Sequence, residues 1–296
     1  MRDFYLIADD FGIGPETTRG ILELGRQGLL TATVAMVNSP FIENSVQEYF
    51  RLTTDFLVGW HPNLTMDKPV CQPKAVPSLV NQNNDFYSLN KFVTRALLGM
   101  IRGEDVYLEL KTQLLKYMEL FGGFPHIINA HQHIAIFPVV GNALRRLCLD
   151  FGMNPWMRRV YEPIAGGGFR GPWFKRSFLN HFGWKEKRLL DATGFPGNVE
   201  FGGICDFRKS PDITFLNFTL QNAQAHGLEW MCHPGYYDKT LVCRDVKPVD
   251  PSLGARVREL EFFKSGNLEN ILKSHGFQLV RSCSFREKVT PLKVAA

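Results

Sequence analysis

The strongest constraint on the fold of this chain is the alternation of short apolar segments with longer amphipathic ones. Residues 4–8, 33–37 and 56–59 are short apolar or β-branched runs that suit buried strands. Helical patterns over 16–27 and 42–51 separate them. Strands that alternate with helices pair in parallel, because each helix returns the chain to the same edge of the sheet. The pattern therefore predicts an α/β fold with mainly parallel strands.

The same alternation continues along the chain. Further strands are predicted at 126–130, 228–232 and 278–280, and further helices at 91–100, 104–120, 139–151, 213–225, 254–265 and 268–274. Two segments interrupt this rhythm, and we expect the Gly-rich and aromatic residues 160–198 to be irregular. No repeat or clear linker divides the sequence. We therefore expect one domain over residues 1–296, with insertions near 66–102 and 156–198.

Composition excludes several classes of protein. The net charge of +5 comes without the dense basic runs of a nucleic-acid-binding arm, so we expect no nucleic-acid partner. The six cysteines form no C-x-x-C pair, which favours free thiols in a reducing compartment. The N-terminal apolar run is too short for a signal peptide, and no run of 18 apolar residues exists. We expect a cytoplasmic protein, with peripheral contact to the inner membrane face left open.

Polar residues follow four of the predicted strands directly. They are Asp9, Asp10, His61, His131, His133 and His233. In parallel α/β folds the active site gathers at the carboxyl ends of the strands, so these side chains are expected to meet at one rim. Each also has a structural alternative. The aspartates could cap a turn, and each histidine could be a satisfied structural residue.

Taken together, these residue types indicate hydrolysis at a metal ion. One carboxylate and two histidines leave coordination positions open for water and substrate. A second carboxylate can act as base, and a histidine can protonate a leaving amine. Two histidines and one carboxylate also form the iron site of non-haem oxygenases, so that class stays open, as does a non-catalytic carbohydrate- or lipid-binding protein on the same fold.

Several ordered segments resemble the YdjC family of carbohydrate deacetylases. They are Ala-Asp-Asp-Phe-Gly at 8–12, Gly-Leu-Leu-Thr-Ala-Thr at 28–33 with Met-Val-Asn at 36–38, Gly-Trp-His-Pro-Asn-Leu-Thr at 59–65, His-Ile-Ile-Asn-Ala-His-Gln-His at 126–133 and Cys-His-Pro-Gly at 232–235. The resemblance is collinear from Leu6 to about Leu260. It departs at Ala135, where the family usually has a further histidine, and at Trp60 and Pro62, which alter the surroundings of His61 and bear on substrate identity.

The resemblance implies a distorted (β/α) barrel that removes N-acetyl groups from amino sugars. Carried over to this sequence, it implies that Asp10, His61 and His131 bind a divalent metal ion, with magnesium and zinc as leading candidates. It implies Asp9 as the base and His233 as the acid or its orienter. If one ion joins these ligands, the ring nitrogens of His61 and His131 must lie within about 8 Å of each other, given bonds of about 2 Å.

The segment 156–188 mixes cations with aromatics, which bears on the partner. We predict an N-acetylated sugar carried on a lipid or phosphate group, with Arg170, Lys175 and Arg176 clasping the phosphate. Trp173, Phe174 and Phe178 would then enter the lipid headgroup layer. The alternative is a helix packed on the barrel with a solvated face. A homodimer is also left open.

Overall fold

In the described part of the chain, eight parallel strands form one sheet. The computed structural model describes residues 1–52, 56–162, 173–204, 208, 210–242, 244 and 251–289; for 173–176 and 251 it describes the backbone alone. The strands are β1 (Arg2–Phe11), β2 (Ala32–Ala35), β3 (Leu57–Trp60), β4 (Ile127–Ile128), β5 (Trp156–Met157), β6 (Glu200–Gly202), β7 (Gly227–Cys232) and β8 (Phe277–Leu279). Their order is β5-β4-β3-β2-β1-β7-β6, and β8 pairs with the start of β1.

Helices pack against both faces of this curled sheet. They are α1 (Pro15–Arg26), α2 (Ile42–Phe50), α3 (Leu89–Leu97), α4 (Gly103–Phe121), α5 (Pro138–Asp150), α6 (Trp173–Thr193), α7 (Ile213–Asn222), α8 (Pro251–Lys264), α9 (Asn267–Ser274) and α10 (Ser282–Val289). Parallel strands with helices between them form the distorted (β/α) barrel that was predicted. None of these helices, within the residues described, is both long and apolar enough to cross a membrane.

Alternate residues of the central strand β1 face opposite sides of the sheet. Phe4 and Leu6 belong to the apolar cluster that joins the sheet to α1, α7 and α9. Tyr5 lies in a second cluster on the inner face, where its ring centroid is 5.1 Å from that of Trp156 and 5.2 Å from that of Phe285 in α10. Helix α10 thus covers the inner face beside the amino-terminal half of β1. The opposite end of the strand, with Asp9, is left for polar groups.

Most of the predicted elements are present with bounds shifted by a few residues. Strand β1 is longer than predicted, so Asp9 and Asp10 lie within the strand rather than in the loop after it. The expected irregularity of 160–198 is wrong over Trp173–Thr193, which form the 21-residue helix α6. Its mixed cations and aromatics follow a Gly-rich run and obscure the helical period. The two-residue strand β5, the three-residue strand β6 and helix α10 were not predicted.

Strands β3 and β4 approach each other closely at Gly59. A Cβ at this position would lie 2.6 Å from the Ile127 carbonyl oxygen and 2.8 Å from the Ile127 Cβ. We expect Gly59→Ala to lower the free energy of unfolding by about 1–3 kcal/mol, because backbone must move to make room. Chemical denaturation measures this. Gly103→Ala is the control, since nothing lies within 4 Å of the added Cβ; an equal effect of the two substitutions would contradict the close approach.

Candidate active site

A bulge at the end of β1 gives the two adjacent aspartates different surroundings. The register between β1 and β2 shifts between Ala8 and Phe11. Asp10 has a φ of 68°, a left-handed conformation that aspartate tolerates better than most residues. Both carboxylates are 2% exposed. The bulge therefore lets each buried carboxylate reach its own set of partners.

Asp10 converges with His61 and His131. Its Oδ1 lies 3.0 Å from His131 Nδ1 and 3.3 Å from His61 Nε2. One potential ligand atom from each of the three residues lies within 4.8 Å of the others, which meets the distance condition set for the two histidines. One carboxylate oxygen and two imidazole nitrogens form a donor set that suits a divalent ion. The geometry and chemistry of these residues therefore fit a single metal ion.

Asn129 connects this cluster to Asp9. The Nδ1 atom of His61 lies 2.8 Å from the Asn129 carbonyl oxygen and also contacts the Asn129 side-chain oxygen. We assign the ring proton to Nδ1, which donates to Asn129 and leaves the Nε2 lone pair directed at Asp10. The Asn129 side-chain nitrogen donates to Asp9 Oδ1 at 3.3 Å. One residue thus orients both His61 and Asp9.

Asp9 forms a two-pronged ion pair with Arg158, which follows β5. Arg158 Nη1 donates to Asp9 Oδ2 at 2.6 Å and Nη2 donates to Oδ1 at 2.8 Å. Its Nε donates to Glu229 Oε1 of β7 at 2.5 Å. Burial is the largest single influence and raises the Asp9 pKa, but the charge and hydrogen bonds of Arg158, together with His61 and His233, more than offset it and hold the Asp9 pKa below its usual value. Asp9 is therefore an ionised carboxylate at neutral pH.

Asp10 has a different cationic partner, Arg256 of α8. Arg256 Nη2 donates to Asp10 Oδ2 at 2.7 Å, while Oδ1 faces the two histidines. Burial raises the pKa of Asp10, but Arg256 and His131 together lower it well below the usual value. Because each aspartate has its own arginine, two neighbouring carboxylates stay ionised in one buried site.

His233 follows β7 and lines the same cavity. Its backbone N–H donates to Glu259 Oε2 at 2.6 Å. The pKa of the His233 ring is lowered to about 4. Burial is the largest cause, Arg256 and Arg158 lower the pKa further, and the two aspartates raise it. His233 is therefore neutral at pH 7. A role as acid requires that it gain a proton during the reaction.

All five predicted site residues line a cavity of about 670 Å³. Asp9, Asp10, His61, His131 and His233 line its polar side. The apolar part of the lining, which we call the apolar wall, consists of Leu89, Val93, Phe137, Phe178, Leu179 and Met231. His133 also lines the cavity but is not in the three-residue cluster. The volume is typical of a pocket for a small ligand.

The arginines that set the charges of the site were not predicted from the sequence. Arg158 and Arg256 pair with aspartates 149 and 246 residues away in the chain, and no spacing rule signals such pairs. Arg158 appears in the sequence only as one of many cations in the 156–188 segment. Asn129 lies within the quoted 126–133 motif, which was the one available signal.

Only part of the segment 156–188 can be compared with its predicted role. Arg170 and the side chains of 173–176, which include Trp173, Phe174, Lys175 and Arg176, lie outside the described residues. Phe178 is described and lines the cavity, where its ring centroid is 6.0 Å from that of Phe137. It is 36% exposed. Helix α6 therefore contributes to the cavity wall, and a lipid contact by this segment stays a prediction.

Comparison with known proteins defines the family. The sequence pattern of the YdjC-like protein family matches residues 4–274, and the chain belongs to this family. A protein of Enterococcus faecalis V583, provisionally named as a cellobiose-phosphate cleavage protein, has a similar fold. The TM-score is 0.75 at 21% identity, over 96% of this chain and 98% of the other.

More distant matches include two carbohydrate-active enzymes. A polysaccharide deacetylase from Bacillus cereus gives a TM-score of 0.42 at 14% identity, over 94% of this chain and 90% of that one. A family 4 carbohydrate esterase from Streptomyces lividans gives 0.39 at 11% identity, over 93% and 90%. Of these three proteins, the Enterococcus protein is the one whose score supports the same overall fold.

The buried Arg158 should be essential for stability as well as for the charge of Asp9. Arg158→Met leaves the Asp9 and Glu229 carboxylates buried without their cation, so we expect the free energy of unfolding to fall by about 3–5 kcal/mol. Chemical denaturation at pH 7 measures this. The control is Arg146→Met, which breaks the ion pair between Arg146 and Glu104. The side chains of these two residues are 52% and 74% exposed, so the free energy of unfolding should change little. Comparable losses in both variants would contradict the compensating role of Arg158.

The low pKa of His233 predicts a pH dependence of stability in the chelator-treated protein. The ring titrates near 6.5 in the unfolded chain and at about 4 in the folded one, so the unfolded state binds more protons between these values. The free energy of unfolding should therefore rise as pH increases from about 4 to about 6.5. His233→Gln should have a shallower slope over this window. An unchanged slope would show that the ring is not held neutral by its surroundings.

Proposed function

We propose that this protein is a metal-dependent hydrolase that removes N-acetyl groups from an amino sugar. The observation that carries the proposal is the pair of adjacent aspartates with separate tasks. Asp10 joins two histidines in a metal-type cluster, while ionised Asp9 lies beside that cluster in the same cavity. Membership of the YdjC-like family supports carbohydrate deacetylation as the class of reaction.

Asp10, His61 and His131 would hold a divalent ion, for which magnesium and zinc are the leading candidates. When bound, such an ion polarises the acetyl carbonyl and lowers the pKa of a water molecule. Asn129 fixes the His61 ring so that Nε2 is the ligand atom. Arg256 occupies the second oxygen of Asp10, which leaves Oδ1 for the ion.

Asp9 is the proposed base. Its ionised carboxylate would accept a proton from the attacking water, and Arg158 with Asn129 holds its orientation. His233 is the proposed donor to the leaving nitrogen. Because His233 is neutral at rest, it has to gain a proton first, and the proton that Asp9 takes from water is a source within the same cavity. That proton then ends on the amine when the C–N bond breaks.

The pairing of Asp9 with Arg158 favours hydrolysis over the two other classes. A non-haem oxygenase requires two histidines and one carboxylate but assigns no task to a second buried carboxylate beside them. A protein that only binds carbohydrate or lipid would not need to keep two carboxylates ionised inside the fold, because each buried charge costs free energy unless it is compensated. A base beside a metal-type cluster gives both carboxylates a function.

The roles of the two aspartates can be separated by experiment. Asp9→Asn should keep metal binding and lower turnover by about 10²–10⁴-fold, because a positioned base is lost while the cluster remains. Acetate release from free, oligomeric and lipid-linked N-acetyl sugars measures turnover, and elemental analysis measures the metal. Near-normal turnover in Asp9→Asn would remove Asp9 from the role of base.

His61→Ala should lose the metal itself and all metal-dependent turnover. The control is His226→Ala, which removes an exposed histidine and should leave both metal content and turnover unchanged. Full metal occupancy in His61→Ala would exclude this residue as a ligand. Acetate release that persists after complete removal of metal would contradict the metal-dependent mechanism.

A further inference from the structure

Large apolar side chains are exposed where helix α3 ends. Leu97, Leu98 and Met100 are 54%, 69% and 48% exposed. The backbone around them is closed by hydrogen bonds from Leu98 N to Thr94 O at 3.0 Å and from Met100 N to Arg95 O at 2.8 Å. These side chains therefore project from a hydrogen-bonded turn, which we call the α3 tip and define as residues 97–100.

The α3 tip is held outward by the residues on either side of it. Phe92 is fully buried and Ile101 is 6% exposed, and both belong to the apolar core cluster under α3 and α4. Because these two side chains anchor the segment to the core, the tip side chains between them are directed to the surface. Three neighbouring large apolar groups that the described residues leave exposed on a surface turn indicate a site of contact with another molecule or surface.

The charged residues nearest the tip in the sequence are mostly basic. Between Asp85 and Glu104 the sequence contains Lys91, Arg95 and Arg102 and no acidic residue. Lys91 and Arg102 are exposed, and Arg102 Nε also lies 3.5 Å from Oδ1 of the buried Asp105. Exposed apolar side chains next to such basic residues suit an anionic lipid surface, because the apolar groups enter the acyl region while the cations meet the headgroups.

The tip and the catalytic cavity share one helix. Leu89 and Val93 line the apolar wall of the cavity, and Leu97 follows Val93 at the same four-residue spacing. Side chains four residues apart lie on one face of a helix. Eight residues of helix span about 12 Å, so one apolar face connects the cavity wall with the tip over that distance.

We propose that the α3 tip inserts into an anionic lipid bilayer and places the mouth of the cavity at the membrane surface. The apolar wall of the cavity would then accept the apolar part of an amphiphile whose N-acetyl amino sugar reaches the polar side. The docking is independent of the reaction that the site performs. The assignment of an amphiphilic substrate rests on the proposed deacetylase function.

Vesicle binding tests the docking directly. The full chain is sedimented with vesicles of phosphatidylcholine alone or mixed with phosphatidylglycerol, and the bound fraction is measured. We expect binding to the anionic vesicles, and a decrease of about tenfold or more in the partition coefficient of the Leu98→Ser/Met100→Ser variant. The matched control is Leu149→Ser on α5, because Leu149 is also 69% exposed and should not contribute. Unchanged unfolding midpoints confirm that the variants are folded.

Several outcomes would overturn the proposal. They are no binding by the unaltered chain, equal binding to the neutral vesicles, or equal loss in Leu149→Ser. Self-association that depends on the tip, without vesicle binding, would assign the surface to a second copy of the chain instead. Because the assay needs no turnover, vesicle binding without acetate release would refute the proposed reaction and leave the docking intact.

Discussion

The buried guanidinium of Arg158 is the interaction on which the arrangement of the active site depends. It joins Asp9 at the end of β1 to Glu229 on β7, and its charge offsets much of the cost of keeping Asp9 ionised at that depth. Apolar residues of the same shape could hold the strands together at least as well. The ion pair is therefore best explained by what it does for Asp9. It keeps the carboxylate charged and fixes both oxygens without occupying the cluster next to it.

The proposed function depends on keeping two neighbouring charges separate. Arg158 balances Asp9 and Arg256 balances Asp10, so the mutual repulsion of the carboxylates does not force a proton onto either. Asn129 then couples the two halves, because it orients the His61 ring and also donates to Asp9.

The sequence predicted the rim of the site better than its electrostatics. Asp10, His61 and His131 could be found because parallel strands bring their carboxyl ends to one edge, so a polar residue after each strand is a local signal. Arg158 and Arg256 could not, since their pairing depends on how distant segments cross. Helix α6 was missed for a different reason. Phe178 and Leu179 of this helix line the cavity, and the aromatic and basic residues of the segment follow no regular period in the sequence, so a helix was offered there only as an alternative.

The left-handed backbone at Asp10 limits which metals the fold could be adapted to bind. Apart from glycine, asparagine, aspartate and histidine adopt this conformation most readily, and His133, with a φ of 60°, is an example in the same cavity. A change of Asp10 to cysteine or glutamate would have to strain the bulge or rebuild it. The main chain thus favours aspartate, asparagine or histidine at this position of the proposed metal site. The oxygen atom proposed as a ligand comes with the bend in β1, and adaptation of the site to thiolate ligands would have to act on the two histidines.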